Sequence, residues 1–190
     1  MKLETRYAHH PDDVKGYDTE ALRRHFLVEK VFVTGELKLC YTHVDRVVFG
    51  GAVPTTQPLV LEGGKEFGTP NFLDRRELGV INLGGKGRVT LDGQVHELAN
   101  GDGLYVGMGV KEVALSSDDA ARPAKFYLMS CPAHASYPTA HISRANANWS
   151  GAGYAPCAIL VAAWLLRWRA RGWFIAALAT QAAVAVVFLA

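Results

Sequence analysis

Arg88-Val89-Thr90-Leu91-Asp92-Gly93-Gln94-Val95-His96-Glu97-Leu98 sets the reading of the whole chain. Two alternating runs flank Asp92-Gly93, and both central residues of a two-residue type I′ turn need positive φ, which Asp-Gly tolerates better than almost any other pair. The segment therefore predicts a β-hairpin. Asn100-Gly101-Asp102-Gly103 signals a second turn, and Leu104-Tyr105-Val106 a returning strand before Gly107.

Working outward, the same texture runs over most of the chain. Val28–Val33, Leu37–Val44, Arg46–Phe49 before Gly50-Gly51, Leu59–Leu61, Leu78–Leu83, Glu112–Leu115 and Lys125–Met129 are short β-branched and aromatic runs. Turn residues separate them at regular spacing, the pattern of an all-β sandwich or barrel. The order of glycine turns and Asp-Gly hairpin is that of a cupin jelly roll, an antiparallel β-sandwich. Residues 1–25 read as a polar arm, with a short helix over Asp18–His25 capped by Asp18 or Thr19. Residues 26–148 read as one cupin-like domain.

Beyond that domain the composition changes. All of the 18 Asp and Glu lie at or before Asp119, and after position 143 the basic residues are Arg144, Arg167, Arg169 and Arg171. The overall charge of +2 is too small to suggest a nucleic-acid partner. Residues 149–190 hold all four Trp, and Gly172–Ala190 carries no charge. That run just meets the roughly 20 apolar residues a membrane span needs, so 149–190 predicts an apolar helical tail. Cys40, Cys131 and Cys157 are widely spaced without a Cys-x-x-Cys pair, which argues against a disulfide framework. The charged N-terminus lacks a signal-peptide core, so a cytoplasmic location is expected, with membrane association through 172–190 as the alternative.

Several segments resemble the N-terminal half of the 5-keto-4-deoxyuronate isomerases, also called 4-deoxy-L-threo-5-hexosulose-uronate ketol-isomerases. They include Phe26–Phe32, Tyr41-Thr42-His43-Val44-Asp45-Arg46, Arg75–Gly85, Leu104–Gly107, Lys111-Glu112-Val113, Pro123–Tyr127 and Pro132–Thr139. The resemblance extends over about residues 1–148. It implies two cupins, a homo-oligomer (typically a hexamer), one zinc per subunit, and a keto-uronate substrate. The implied reaction is aldose–ketose isomerisation to 3-deoxy-D-glycero-2,5-hexodiulosonate in pectin degradation. In the family, three His and a Glu of the C-terminal cupin hold the metal. Between Ile142 and Ala190 this chain has no His, Asp or Glu, so no metal ligand and no catalytic residue carries over.

The tail then has three readings. It is an out-of-frame or truncated end of an isomerase, inactive alone; a membrane anchor with Arg167, Arg169 and Arg171 at the cytoplasmic face; or a core helix for a partner. The competing function class is a non-catalytic cupin-like binding or scaffold module. Within the first half, His43 and Asp45 stand two residues apart on one strand face, and with Arg46 they would meet a uronate carboxylate. Arg75-Arg76-Glu77 offers a second such clamp, because guanidinium forks match carboxylates. The structural use of both groups is to fix a strand end or a subunit contact. His134, between prolines, reads as a loop lock, His96 as a cross-strand surface residue, and Gly84, Gly85 and Gly87 as turn glycines.

Overall fold

The Asp92-Gly93 hairpin forms as its sequence predicts, with φ of 47° and 87° at the two central residues and Leu91 opposite Gln94. The structure is a computed structural model that describes residues 1–142. Its strands are β1 (Lys2–Arg6), β2 (Leu37–Thr42), β3 (Val48–Ala52), β4 (Leu59–Val60), β5 (Arg76–Asn82) and β6 (Gly87–Leu91). There follow β7 (Gln94–Leu98), β8 (Gly103–Val106), β9 (Val113–Ser117), β10 (Phe126–Pro132) and β11 (Ala140–Ile142). Two short helices, α1 (Pro11–Val14) and α2 (Thr19–Phe26), stand between β1 and β2.

The strands form two sheets, ordered β1-β2-β3-β10-β5-β8-β11 and β4-β9-β6-β7. Strands β3 to β10 alone supply β3-β10-β5-β8 and β4-β9-β6-β7, every neighbouring pair antiparallel. That interleaving of eight consecutive strands over two sheets is a jelly roll of the cupin type. One core lies between the sheets. Leu78, Val80, Leu104, Val106, Phe126 and Leu128 come from the larger sheet and Val89, Leu91, Leu98, Val113 and Leu115 from the smaller. Each buried side chain of this size contributes about 1.5–3 kcal/mol of transfer free energy. In β5 the burial alternates strictly, placing Arg76, Leu78, Val80 and Asn82 on the inner face. That period of two is the feature that positions the candidate site.

Two departures from the sequence reading have physical causes. Val28–Val33, predicted as a strand, forms none; the nearest strand-type pairing is an isolated parallel bridge just after it, between Thr34 and Val53. It lies instead across β3, where a Cβ at Gly51 would stand 2.7 Å from the Val31 carbonyl oxygen and 2.8 Å from the Phe32 ring. The missing side chain of Gly51 is what lets the segment lie there. Residues 2–6, expected in a polar arm, form β1 and pair with β2 in parallel, so the sandwich is not wholly antiparallel. Charges at Lys2, Glu4 and Arg6 hide this edge strand from a hydropathy reading. The α2 helix does form, with the Asp18 carboxylate accepting from the Ala21 N–H at 2.8 Å. The tail expected as an apolar helix lies outside the described residues. Among the described residues no helix is long and apolar enough to cross a membrane.

Candidate functional site

The chain reverses between β2 and β3 through Asp45 and Arg46, with φ of 53° and 54°. Two consecutive non-glycine residues in the left-handed region are uncommon, and each conformation costs free energy that its surroundings must offset. The hairpin is closed by the Thr42 N–H donating to the Val47 carbonyl at 2.9 Å. A second anchor is Arg76, whose Nη2 donates to the Arg46 carbonyl at 2.6 Å. Arg76 begins β5 on its inner face and is 7% exposed, the one charged side chain buried among the described residues. Its Nε donates to Ser130 Oγ at 3.1 Å and its Nη2 also to the Ser130 carbonyl at 2.9 Å.

Aromatic rings complete its surroundings. The Arg76 guanidinium carbon lies 5.7 Å from the centroid of Tyr41 and 6.0 Å from that of Phe67, within cation–π range. His43 stacks on Tyr7 at 4.7 Å and packs beside Tyr41 at 5.1 Å. Burial pushes the Arg76 guanidinium down from its ordinary value, and the nearby Arg46 charge acts in the same direction. Every hydrogen-bond acceptor of Arg76 is neutral, and among the described residues no carboxylate lies within ion-pair distance of it.

The sequence candidates therefore separate. Arg46 and Arg76 come together, and His43 joins them through Tyr41. Asp45 is exposed on the turn. Arg75 is exposed too, one residue out of phase with Arg76, so the two do not share a clamp. Glu77 accepts a hydrogen bond from the Tyr105 hydroxyl at 2.8 Å; burial and that carboxylate push the phenol up to about 12, so it donates and does not act as a base. His134 is exposed in its loop. His96, expected at the surface, sits opposite the fully buried Val89 and its Nε2 is enclosed, because its place in the period of two turns it inward. Tyr41, Phe67 and Ser130 are the members that sequence reading misses. Only Tyr41 carried a signal, as the third inward residue of the Leu37, Leu39, Tyr41 alternation. Among the described residues no cluster of three or more His, Cys, Asp or Glu stands ready to hold a metal. The described residues thus do not fit the zinc that the resemblance implies, and no chemical step is derived through it.

Comparison with known proteins gives a match to the KduI/IolB family model over residues 26–161. The chain belongs to the KduI/IolB family. Relatives that it matches carry the ketol-isomerase name. The 4-deoxy-L-threo-5-hexosulose-uronate ketol-isomerase of Formosa agariphila is 53% identical over 147 residues, covering 77% of this chain and 52% of that protein. The 4-deoxy-L-threo-5-hexosulose-uronate ketol-isomerase 2 of Enterococcus faecalis is 53% identical over 141 residues, covering 74% and 51%. This KduI/IolB chain spans about half the length of the curated relatives it matches. Among solved structures, a cupin protein from Bacteroides fragilis is similar over 48% of this chain and 69% of its own, at 21% identity and a TM-score of 0.34.

Proposed function

We propose that this protein belongs to the ketol-isomerisation of 4-deoxy-L-threo-5-hexosulose-uronate in pectin breakdown, as its first cupin, and that the 190 residues do not turn over substrate alone. What carries this reading is collinear identity near one half over three quarters of the chain, joined to a barrel interior filled by Leu, Val and Phe. The homo-oligomeric assembly and the cytoplasmic location that the resemblance implies belong to the same proposal; the zinc does not.

The chemistry explains the expected inactivity. Moving a carbonyl to the adjacent carbon requires a group that removes a proton α to it, and a cation or fixed donors to hold the enediolate oxygens. Loss of a single oxyanion donor costs about 2.7–4 kcal/mol of barrier in a protease. Arg46 and Arg76 are donors without an accepting lone pair, so they bind and orient an anion but take no proton. The test is to purify the full chain, measure its zinc content, and assay ketol isomerisation of the keto-uronate. We expect no stoichiometric zinc and no turnover above background. One zinc per chain, or turnover near that of a full-length relative, would overturn the inactive-alone reading.

A further inference from the structure

We propose that Arg76 and Arg46 form a carboxylate-binding site at one end of the jelly roll, with Arg76 as its buried anchor and a uronic acid as its ligand class. A buried charge without a counter-ion is costly, and native proteins almost always pair it. Arg76 is 7% exposed and bonds only to the Ser130 hydroxyl and to the carbonyls of Ser130 and Arg46. The acids nearest to it along the chain are engaged elsewhere: Asp74 holds the Asn71 N–H groups and Lys111, and Glu77 accepts from Tyr105.

The geometry leaves a place for an anion. Nε and Nη2 are used, and Nη1 has no partner among the described residues. The fully enclosed polar side-chain atoms without a partner there are Arg6 Nη1 and His96 Nε2; Arg76 Nη1 is not one of them and so keeps a path to solvent. Tyr41 and Phe67 hold the guanidinium plane in place, which lowers the ordering cost of binding. Arg46 adds a second cation. Its backbone is tied to Arg76, its side chain is exposed, and it makes no ion pair among the described residues. The left-handed backbone of Asp45 and Arg46 then has a use, since it turns the Arg46 carbonyl onto the buried guanidinium and keeps the Arg46 charge within electrostatic reach of it. Arg75, exposed and out of phase, is not part of the site.

The choice of a uronic acid rests on the proposed ketol-isomerase function; the anion site does not. Calorimetric titration of the full chain with galacturonate, galactose and sulfate tests it, and needs no turnover, so failure here and failure in the isomerase assay are separate results. We expect one galacturonate per chain, weakened by added salt, no heat from galactose, and sulfate about tenfold weaker. Arg76→Met should weaken galacturonate binding by about tenfold or more with unfolding still cooperative, Arg46→Ala by about threefold, and Arg75→Ala not at all. Should Arg76→Met fail to fold, Arg76→Lys and Arg46→Ala carry the comparison. The proposal is overturned by absence of galacturonate binding, by equal binding of galactose or sulfate, or by undiminished binding in the Arg46 and Arg76 variants. A self-association lost in Arg76→Met without galacturonate binding overturns it as well, and assigns the guanidinium to a carboxylate of a second copy.

Discussion

The two ends of β5 bury polar side chains under opposite conditions. At its C-terminal end, Asn82 is fully buried and uses its whole hydrogen-bonding capacity. Its Nδ2 donates to the Gly85 and Leu98 carbonyls at 2.8 and 2.9 Å, and its Oδ1 accepts from the Gly84 and Lys125 N–H groups at 3.0 and 3.2 Å. At the N-terminal end, Arg76 is nearly as buried, carries a full charge, and has one nitrogen without a partner among the described residues. One end is a closed network that ties two loops and the end of β7 to β5. The other is a charge held ready by neutral acceptors and aromatic faces. Complete satisfaction marks a structural knot, and incomplete satisfaction of a charge marks a receptor.

Substitutions at the two ends should differ accordingly. Asn82→Ala removes one side chain and leaves two donors and two acceptors without their partner, one of them, the Leu98 carbonyl, buried, so it should cost about 3 kcal/mol in urea unfolding. A loss below about 1 kcal/mol would erase the contrast. Arg46→Gly should act in the opposite sense, raising stability by up to about 1 kcal/mol, because glycine takes a φ of 54° without penalty. The same change should weaken galacturonate binding, which separates stability from recognition at that turn. Arg76→Met should shift stability by less than about 1 kcal/mol in either direction, since the lost hydrogen bonds are offset by the removal of an unpaired buried charge.

The smallest effect concerns Asp74, just ahead of β5. Its bonds to Lys111 and to the Asn71 N–H groups hold its carboxyl down at about 2, below the ordinary 3.8. A depressed folded-state value adds stability that is fully present above the unfolded value and is lost as the pH falls from 3.8 towards 2. Asp74→Asn should therefore flatten the acid limb of stability over that window. Urea midpoints at pH 7, 3.5 and 2 measure it. The effect should be modest, because Lys111 is well exposed and its ion pair is screened by solvent.

Much of this architecture was legible from residue order. Asp92-Gly93 names its own turn, and the alternation through Leu78 and Val80 places β5 with one face inward. Strand spacing points to an all-β sandwich or barrel, and the rhythm of glycine turns to a jelly roll. Segments that contradict local hydropathy were not legible. β1 is charged because it is an edge, and Val28–Val33 is apolar yet unpaired because it crosses over Gly51. For the candidate site, the residue types and the turn were readable, but the partition was not. Arg75 and Arg76 look alike in sequence and separate only once the phase of β5 is known. Ser130 stands 54 residues from Arg76, and Phe67 reaches it from an irregular loop, so nothing local announces either.

The jelly-roll order also has a consequence for the chain as it leaves the ribosome. β3 pairs with β10, with Ala52 opposite Phe126, so the larger sheet cannot close until β10 has been made. At ~5–20 residues per second, synthesis of that interval takes on the order of 4 to 15 seconds. Throughout it, β3 lacks its neighbour on the β10 side, and the β2–β3 and β6–β7 hairpins are the pairings that can form early, from neighbours in sequence. Nascent chains should accordingly be most vulnerable to aggregation and most in need of a holding chaperone in this window, and a translational pause placed before β10 should lower the yield of folded protein more than one placed after it.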